Sequence, residues 1–168
     1  ELPEAAYLRA LLADLDQDLP LIGDRTVKTV FIGGGTPSLL SGDFYRQLFQ
    51  GIRQRLVLSE QAEITLEANP GTVEAGRFAG FREAGINRLS IGVQSFNNTH
   101  LQALGRIHDA SAAIQAAHQA REAGFTTFNL DIMHALPGQT RAQALDDLQQ
   151  AMALQPTHLS WYELTIEP

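Results

Sequence analysis

Apolar residues follow two alternating rhythms along the chain. Five short runs rich in β-branched and large apolar residues read as strands: Val27–Ile32, Glu63–Glu67, Arg88–Val93, Thr126–Met133 and His158–Ile166. Their apolar residues are nearly continuous, which predicts parallel strands buried on both faces. The stretches between them repeat at helical spacing. Phe44, Leu48, Ile52 and Leu56 recur every four residues after Ser41 and line one helix face. Thr140 with Gln143 predicts a capping box ahead of Leu145, Leu148 and Met152. Gly85 and Gly124 stand where helices should end in a left-handed residue, and Pro156 follows the last helix. A faint repeat supports this punctuation: Arg-Glu-Ala-Gly-Ile at 82–86 and Arg-Glu-Ala-Gly-Phe at 121–125 each lead into a strand.

Strands alternating with helices predict an α/β fold: a parallel sheet with right-handed crossovers. A complete eight-unit barrel takes ~250 residues, so a chain of 168 has room for roughly five units by the same rule. It is either part of a barrel or an open doubly wound sheet. Both architectures bind ligands at the carboxyl ends of their strands. Those ends read Gly33-Gly34-Gly35-Thr36, Glu67-Ala68-Asn69, Gln94-Ser95, Asp131 with His134, and Glu163 with Thr165. Polar loops after strands are ordinary. Glu67 and Asp131 are less so, because they lie inside runs that continue with apolar residues, where a carboxylate needs a partner, water or a ligand. The series predicts one shared ligand site. The triple glycine is neither a Walker A loop nor the G-x-G-x-x-G dinucleotide turn. It is a tight turn, or a place where backbone approaches a ligand closely, and it would suit a ligand with both an amine and a carboxylate.

Composition narrows the function classes. At 44% hydrophobic the chain can build a core, and its net charge of -7 argues against a nucleic-acid partner, which usually meets a basic face. Cysteine is absent, which excludes disulfides, thiolate zinc sites and any iron–sulfur cluster ligated from within these residues. No apolar run approaches the ~20 residues of a membrane span, and no signal-peptide pattern is present. Membrane association is therefore not indicated, and a cytoplasmic location is expected. The five histidines show no metal spacing, and no serine sits in G-x-S-x-G. No catalytic or metal-ligating side chain is assigned. His134 alone among the histidines falls on the expected ligand face, with a structural role the simpler reading. Of Trp161 and Tyr162, one should pack on the core and the other on the helical layer. Both ends look cut: Glu1-Leu2-Pro3-Glu4 opens directly into a helix, and the last strand pattern stops at Glu167-Pro168. A piece of a longer protein is expected.

The motifs, taken in order, resemble the radical S-adenosyl-L-methionine (radical SAM) proteins of the oxygen-independent coproporphyrinogen III oxidase family. The strings that carry the resemblance are Phe31-Ile32-Gly33-Gly34-Gly35-Thr36-Pro37-Ser38, Glu67-Ala68-Asn69-Pro70-Gly71, Ile91-Gly92-Val93-Gln94-Ser95-Phe96, Leu104-Gly105-Arg106, Asn129-Leu130-Asp131-Ile132-Met133 and Leu136-Pro137-Gly138. They span nearly the whole chain. Glu-Ala-Asn-Pro-Gly and Val-Gln-Ser-Phe are most similar to the heme chaperone branch. The oxidase proper tends to carry Asp-Pro after the glutamate's strand and an aspartate after Gln94.

The resemblance implies a partial (β/α)6 TIM-like barrel over residues 1–168, a radical SAM core domain. Its first strand and cysteine loop would lie upstream and a C-terminal domain downstream. It implies S-adenosylmethionine and a 4Fe-4S cluster as cofactors, the cluster's ligands lying outside this chain, so the chain alone is expected to be inactive. In the family, one electron cleaves the cofactor and yields a 5′-deoxyadenosyl radical. By matching position, Gly34, Gly35 and Thr36 would line the methionine end. Glu67, Gln94, Arg106 and Asp131 would contact bound S-adenosylmethionine, with Thr165 near the adenine. The assignment of Arg106 rests on the resemblance alone. Two functions are implied: a chaperone that binds heme and delivers it to acceptor proteins, or an oxidase that decarboxylates the propionates of coproporphyrinogen III. An electron donor would be a further partner. With one unit missing, an exposed sheet edge and an uncovered apolar interior should make the chain prone to associate.

Overall fold

The computed structural model describes residues 2–71 and 75–165. Helix α1 (Glu4–Ile22) leads into β1 (Val27–Ile32), a 3-10 turn at Pro37–Leu39, α2 (Gly42–Arg53) and β2 (Leu58–Ala68). After α3 (Phe78–Ala84) come β3 (Arg88–Gln94), a short α4 (Asn98–Ala103), α5 (Ala110–Glu122), β4 (Thr127–His134), α6 (Arg141–Ala153) and β5 (His158–Glu163). The strands lie in the order β1-β2-β3-β4-β5, every neighbour parallel. A doubly wound sheet reverses its strand order at a switch point; this one never does. It is a curled half-barrel.

Local signals explain the helix boundaries. Ser41 Oγ accepts from Phe44 N, Asp109 Oδ1 from Ala112 N, and Asn97 Oδ1 from Thr99 N, each starting a helix. Thr140 and Gln143 form the reciprocal capping box. Gly85 (φ 110°) and Gly124 (φ 87°) take the left-handed conformation just past α3 and α5. Thr140 is exposed and makes no other described contact than this cap, so Thr140→Ala should cost about 1 kcal/mol, read from the denaturant midpoint at unchanged slope.

The core lies between the sheet and its helices. Ile64 and Leu66 of β2, Leu89, Ile91 and Val93 of β3, and Leu130 and Ile132 of β4 are buried on this outer face. Over them pack Tyr45 and Phe49 of α2, Phe78 and Phe81 of α3, and the alanine stripe of α5 (Ala113, Ala116, Ala117, Ala120). Helices α2 and α3 meet backbone to backbone: a Cβ on Gly42 would stand 2.9 Å from the Gly80 carbonyl oxygen.

Several expectations need correction. The middles of β2, β3 and β4 are buried on both faces, as expected, but one of those faces is polar, with Thr65, Ser90 and Asn129 buried on it, and the edge strands β1 and β5 are largely exposed. Thr65, Glu67, Ser90, Asn129, Asp131, Ser160 and Tyr162 alternate with the core residues and share the concave face with Phe31, so the barrel interior is largely polar, with one exposed apolar side chain at the β1 edge. On the strands, the large apolar side chains over 40% exposed are Phe31 of β1 and Trp161 and Tyr162 of β5, one edge strand on each side of the sheet. The last strand also ends at Glu163, short of the expected boundary, although Leu164 N still reaches His134 O at 3.0 Å; Ile166 lies outside the described residues. On this edge strand neither Trp161 nor Tyr162 is buried. Trp161 shares the face of Leu159 and meets the His134 ring at 4.9 Å, which takes His134 away from the concave face and into a structural contact.

Candidate functional site

The carboxyl ends of β1 to β4 converge on a small polar cavity of about 190 Å³. Gly35, Glu67, Gln94, Arg106 and Asp131 line it together with Asn69, Ser90, Gly92 and Tyr162. Five of the eight residues singled out by sequence thus meet in one place. Gly34 joins them through its N–H, which donates to Glu67 Oε2 at 3.2 Å. Thr36 lines an adjoining apolar groove of about 390 Å³ that shares Gly35 and Pro37 with the cavity. Thr165 is not brought in: it lies two residues beyond β5 and is exposed. A third cavity of about 570 Å³, around the start of α5, shares Asn69 and Arg106. A ligand too large for the polar cavity can therefore extend along the rim in either direction.

Glu67, Gln94 and Asp131 are placed by the strands that carry them, and Arg106 by the turn after α4. Glu67 leaves β2 against Gly33, where a Cβ would stand 2.9 Å from the Glu67 carboxylate; only glycine leaves that space. Asp131 is held from below at both oxygens. Ser90 Oγ donates to Oδ2 at 2.8 Å and Asn129 Nδ2 donates to Oδ1 at 2.8 Å. Asn129 also bonds Ser90 and Ser160, each at 3.0 Å, so the polar residues of β3, β4 and β5 form one network under the carboxylate. The register pairs Ser90 with Asn129 and Asp131 with Ser160, which is what brings these short side chains into reach.

Gln94 ends β3 at an irregularity in the register and takes φ 69°, an uncommon backbone for a residue with a side chain. Its amide folds over Gly92, whose missing Cβ would stand 3.0 Å from Gln94 Nε2. Tyr162 Oη approaches Gln94 Oε1 at 3.4 Å. Burial, then the nearby charges of Asp131 and Glu67, raise the Tyr162 phenol above the ordinary tyrosine value, opposed by Arg106. The phenol thus stays protonated through neutral pH and remains a donor. Its phenolate absorbance, isolated by difference against Tyr162→Phe, should appear at higher pH than that of an exposed tyrosine; titration at the ordinary value would contradict this environment.

Sequence reading passed over Ser90, Asn129 and Ser160, and gave Tyr162 a packing role. The available signal was the two-residue spacing of polar positions, Asn129-x-Asp131 and Ser160-x-Tyr162, which marks one face of a strand.

A half-barrel whose strand ends gather a glycine turn, two carboxylates, a glutamine and an arginine belongs to a definable class. The model of the radical SAM superfamily matches residues 11–151, and the chain belongs to that superfamily. It is 56% identical over its whole length to the heme chaperone HemW of Escherichia coli (strain K12), covering 44% of that protein. It is 52% identical to the heme chaperone HemW of Haemophilus influenzae, again over its whole length and 45% of that protein. The chain therefore spans less than half the length of these relatives. Among solved structures it is similar to coproporphyrinogen III oxidase (HemN) from Escherichia coli, described as a radical SAM enzyme. That match has a TM-score of 0.87 at 32% identity and covers 98% of this chain and 38% of the other.

Membership implies S-adenosylmethionine and a 4Fe-4S cluster. The two fit this chain differently. S-adenosylmethionine combines a sulfonium and an ammonium with a carboxylate and ribose hydroxyls. The cavity sets two carboxylates, Glu67 and Asp131, beside one guanidinium, Arg106, a donor set whose charges match those groups. Gly34 and Gly35, at φ 84° and 54°, have no atoms within 4 Å of where a Cβ would be, so the backbone leaves open space for a ligand. For the cluster the chain has no cysteine, and no group of three or more His, Asp or Glu that could hold a metal ion occurs among the described residues.

Proposed function

We propose that this chain is the S-adenosylmethionine-binding part of a radical SAM core domain in a heme chaperone that delivers heme to acceptor proteins. The observation that carries the reading is the convergence of Gly35, Glu67, Gln94, Arg106 and Asp131 on one cavity at the strand ends. Likeness over the whole of this chain, and 44–45% of the relatives' own length, to two proteins named heme chaperones supports the functional class.

Each residue has a distinct task. Glu67, fixed by Gly34 N–H, takes a cationic or hydroxyl donor of the ligand. Asp131 has one lone pair on each oxygen used from below, so it presents the others without having to reorient. Gln94 presents its amide across Gly92. Arg106 pairs with the ligand carboxylate, a charge-assisted contact stronger than a neutral hydrogen bond. Gly34, Gly35 and Thr36 admit the methionine end; Thr165, which stands outside the cavity, is given no contact. When bound, S-adenosylmethionine supplies radical chemistry in this family; the side chains position and shield it. Cluster ligands, the remainder of the barrel, a C-terminal domain and an electron donor are assigned to other parts of the full-length protein or to partners.

The structural likeness to HemN supports one alternative, radical decarboxylation of the propionates of coproporphyrinogen III. The test uses the full-length protein that contains this chain, prepared anaerobically with its cluster rebuilt and given S-adenosylmethionine, reductant and coproporphyrinogen III. Intact tetrapyrrole mass, with stable heme binding by the same preparation and transfer to an apoprotein, is the expected result. Loss of two carboxyl groups with release of 5′-deoxyadenosine would establish the oxidase instead.

A further inference from the structure

The deepest buried carboxylate in the described structure is outside the site. Asp147 of α6 is 1% exposed, and no salt bridge among the described residues reaches it. A buried carboxylate without a cation needs hydrogen bonds to offset its desolvation. Asp147 receives three. Phe96 N donates to Oδ1 at 2.7 Å, Ser95 Oγ donates to Oδ2 at 2.7 Å, and Gln139 Nε2 donates to Oδ2 at 3.2 Å.

All three donors belong to loops at strand carboxyl ends. Ser95 and Phe96 directly follow Gln94, the last residue of β3. Gln139 lies in the loop after β4, where its Oε1 also accepts from Leu136 N at 3.2 Å. Each loop begins with a non-glycine residue in the left-handed region, Gln94 at φ 69° and Ala135 at φ 59°. Such conformations carry a cost and persist only where the surroundings over-determine them. The bonds that Asp147 accepts fall one and two residues beyond Gln94.

We propose that Asp147 is a positioning residue: from the helical layer it latches the two strand-end loops together and holds Gln94 in the backbone conformation that turns its amide into the polar cavity. The effect on ligand binding rests on the proposed S-adenosylmethionine site; the latch itself does not. Its neighbour Asp146 is exposed, bonds only Gln150 among the described contacts, and serves as a control.

The test has two arms in the full-length protein. Without ligand, Asp147→Ala should speed amide hydrogen exchange at Ser95–Asn97 and Leu136–Gln139 while β2, β3 and β4 keep their protection, and Asp146→Ala should change neither loop. In calorimetry, Asp147→Ala should weaken S-adenosylmethionine binding about tenfold, the equivalent of one hydrogen bond to a charged group. Added to Gln94→Ala it should weaken binding no further, because it acts through Gln94. Unchanged exchange in both loops overturns the latch, and a full additional loss in the double variant overturns the action through Gln94. Should Asp147→Ala fail to fold, Ser95→Ala removes a single donor and is read by the same criteria. If the wild-type protein binds no S-adenosylmethionine, the proposed function fails while the exchange arm still decides the latch.

Discussion

Replacing Asp131 by alanine should weaken S-adenosylmethionine binding by the full-length protein roughly 10- to 100-fold, the range for losing one or more hydrogen bonds to a charged group at about 1.5–3 kcal/mol each. The size follows from preorganisation. Ser90 and Asn129 already hold both carboxylate oxygens from the floor of the half-barrel, so no ordering cost offsets the contacts the ligand makes. The fold should tolerate the change. Asp131 is only half-buried, and when it is removed Asn129 retains Ser90 and Ser160 as partners. A near-normal melting temperature with lost affinity is the expected signature. Unchanged affinity by calorimetry would remove Asp131 from the site.

Phe81→Ala should destabilise the chain by about 3–5 kcal/mol, the range for emptying an aromatic core position. Phe81 is 0% exposed and meets Tyr45 edge-on at 5.6 Å and Phe78 at 6.4 Å. It joins α3 to α2 at the place where Gly42 and Gly80 bring the two backbones together, so neighbours have little freedom to collapse into the cavity. Tyr45 in turn donates its hydroxyl to Pro37 O at 2.7 Å, which ties this cluster to the loop that follows the glycine turn. Equilibrium denaturation measures the loss; a cost below about 1 kcal/mol would mean that the site collapses freely, contrary to the rigid α2–α3 crossing.

The helical half of the fold was readable because its signals are local. Thr140 and Gln143, Ser41, Gly85 and Gly124 each act within one turn of the chain, and each does what its residue type predicts. The strands were located and the central ones are buried on both sides as read, but that one of the two faces is polar was not seen. A lone Ser90, Asn129 or Ser160 between large apolar neighbours looks like noise until the register aligns them. Only then do they form a continuous polar face, on which Asp131 is the upper member. The candidate site was legible where chemistry interrupts an apolar run, as at Glu67 and Asp131. It was less so at Gln94, whose left-handed backbone has no local marker, and at Tyr162, which a central strand would have buried and an edge strand turns into the cavity. Asp147 left no trace in the sequence. Its donors Ser95 and Phe96 are 52 and 51 residues away, and its helical spacing alone does not separate it from the exposed Asp146.

The central claim is that S-adenosylmethionine binds across the carboxyl ends of β1 to β4. Hydrogen exchange read by mass spectrometry on the full-length, cluster-loaded protein, with and without S-adenosylmethionine, tests it most directly. The account predicts slowed exchange at Gly33–Thr36, Glu67–Asn69, Gln94–Phe96 and around Arg106, with α1 and the exposed face of α5 unchanged. Binding that leaves these four segments unaltered and protects some other surface would contradict it.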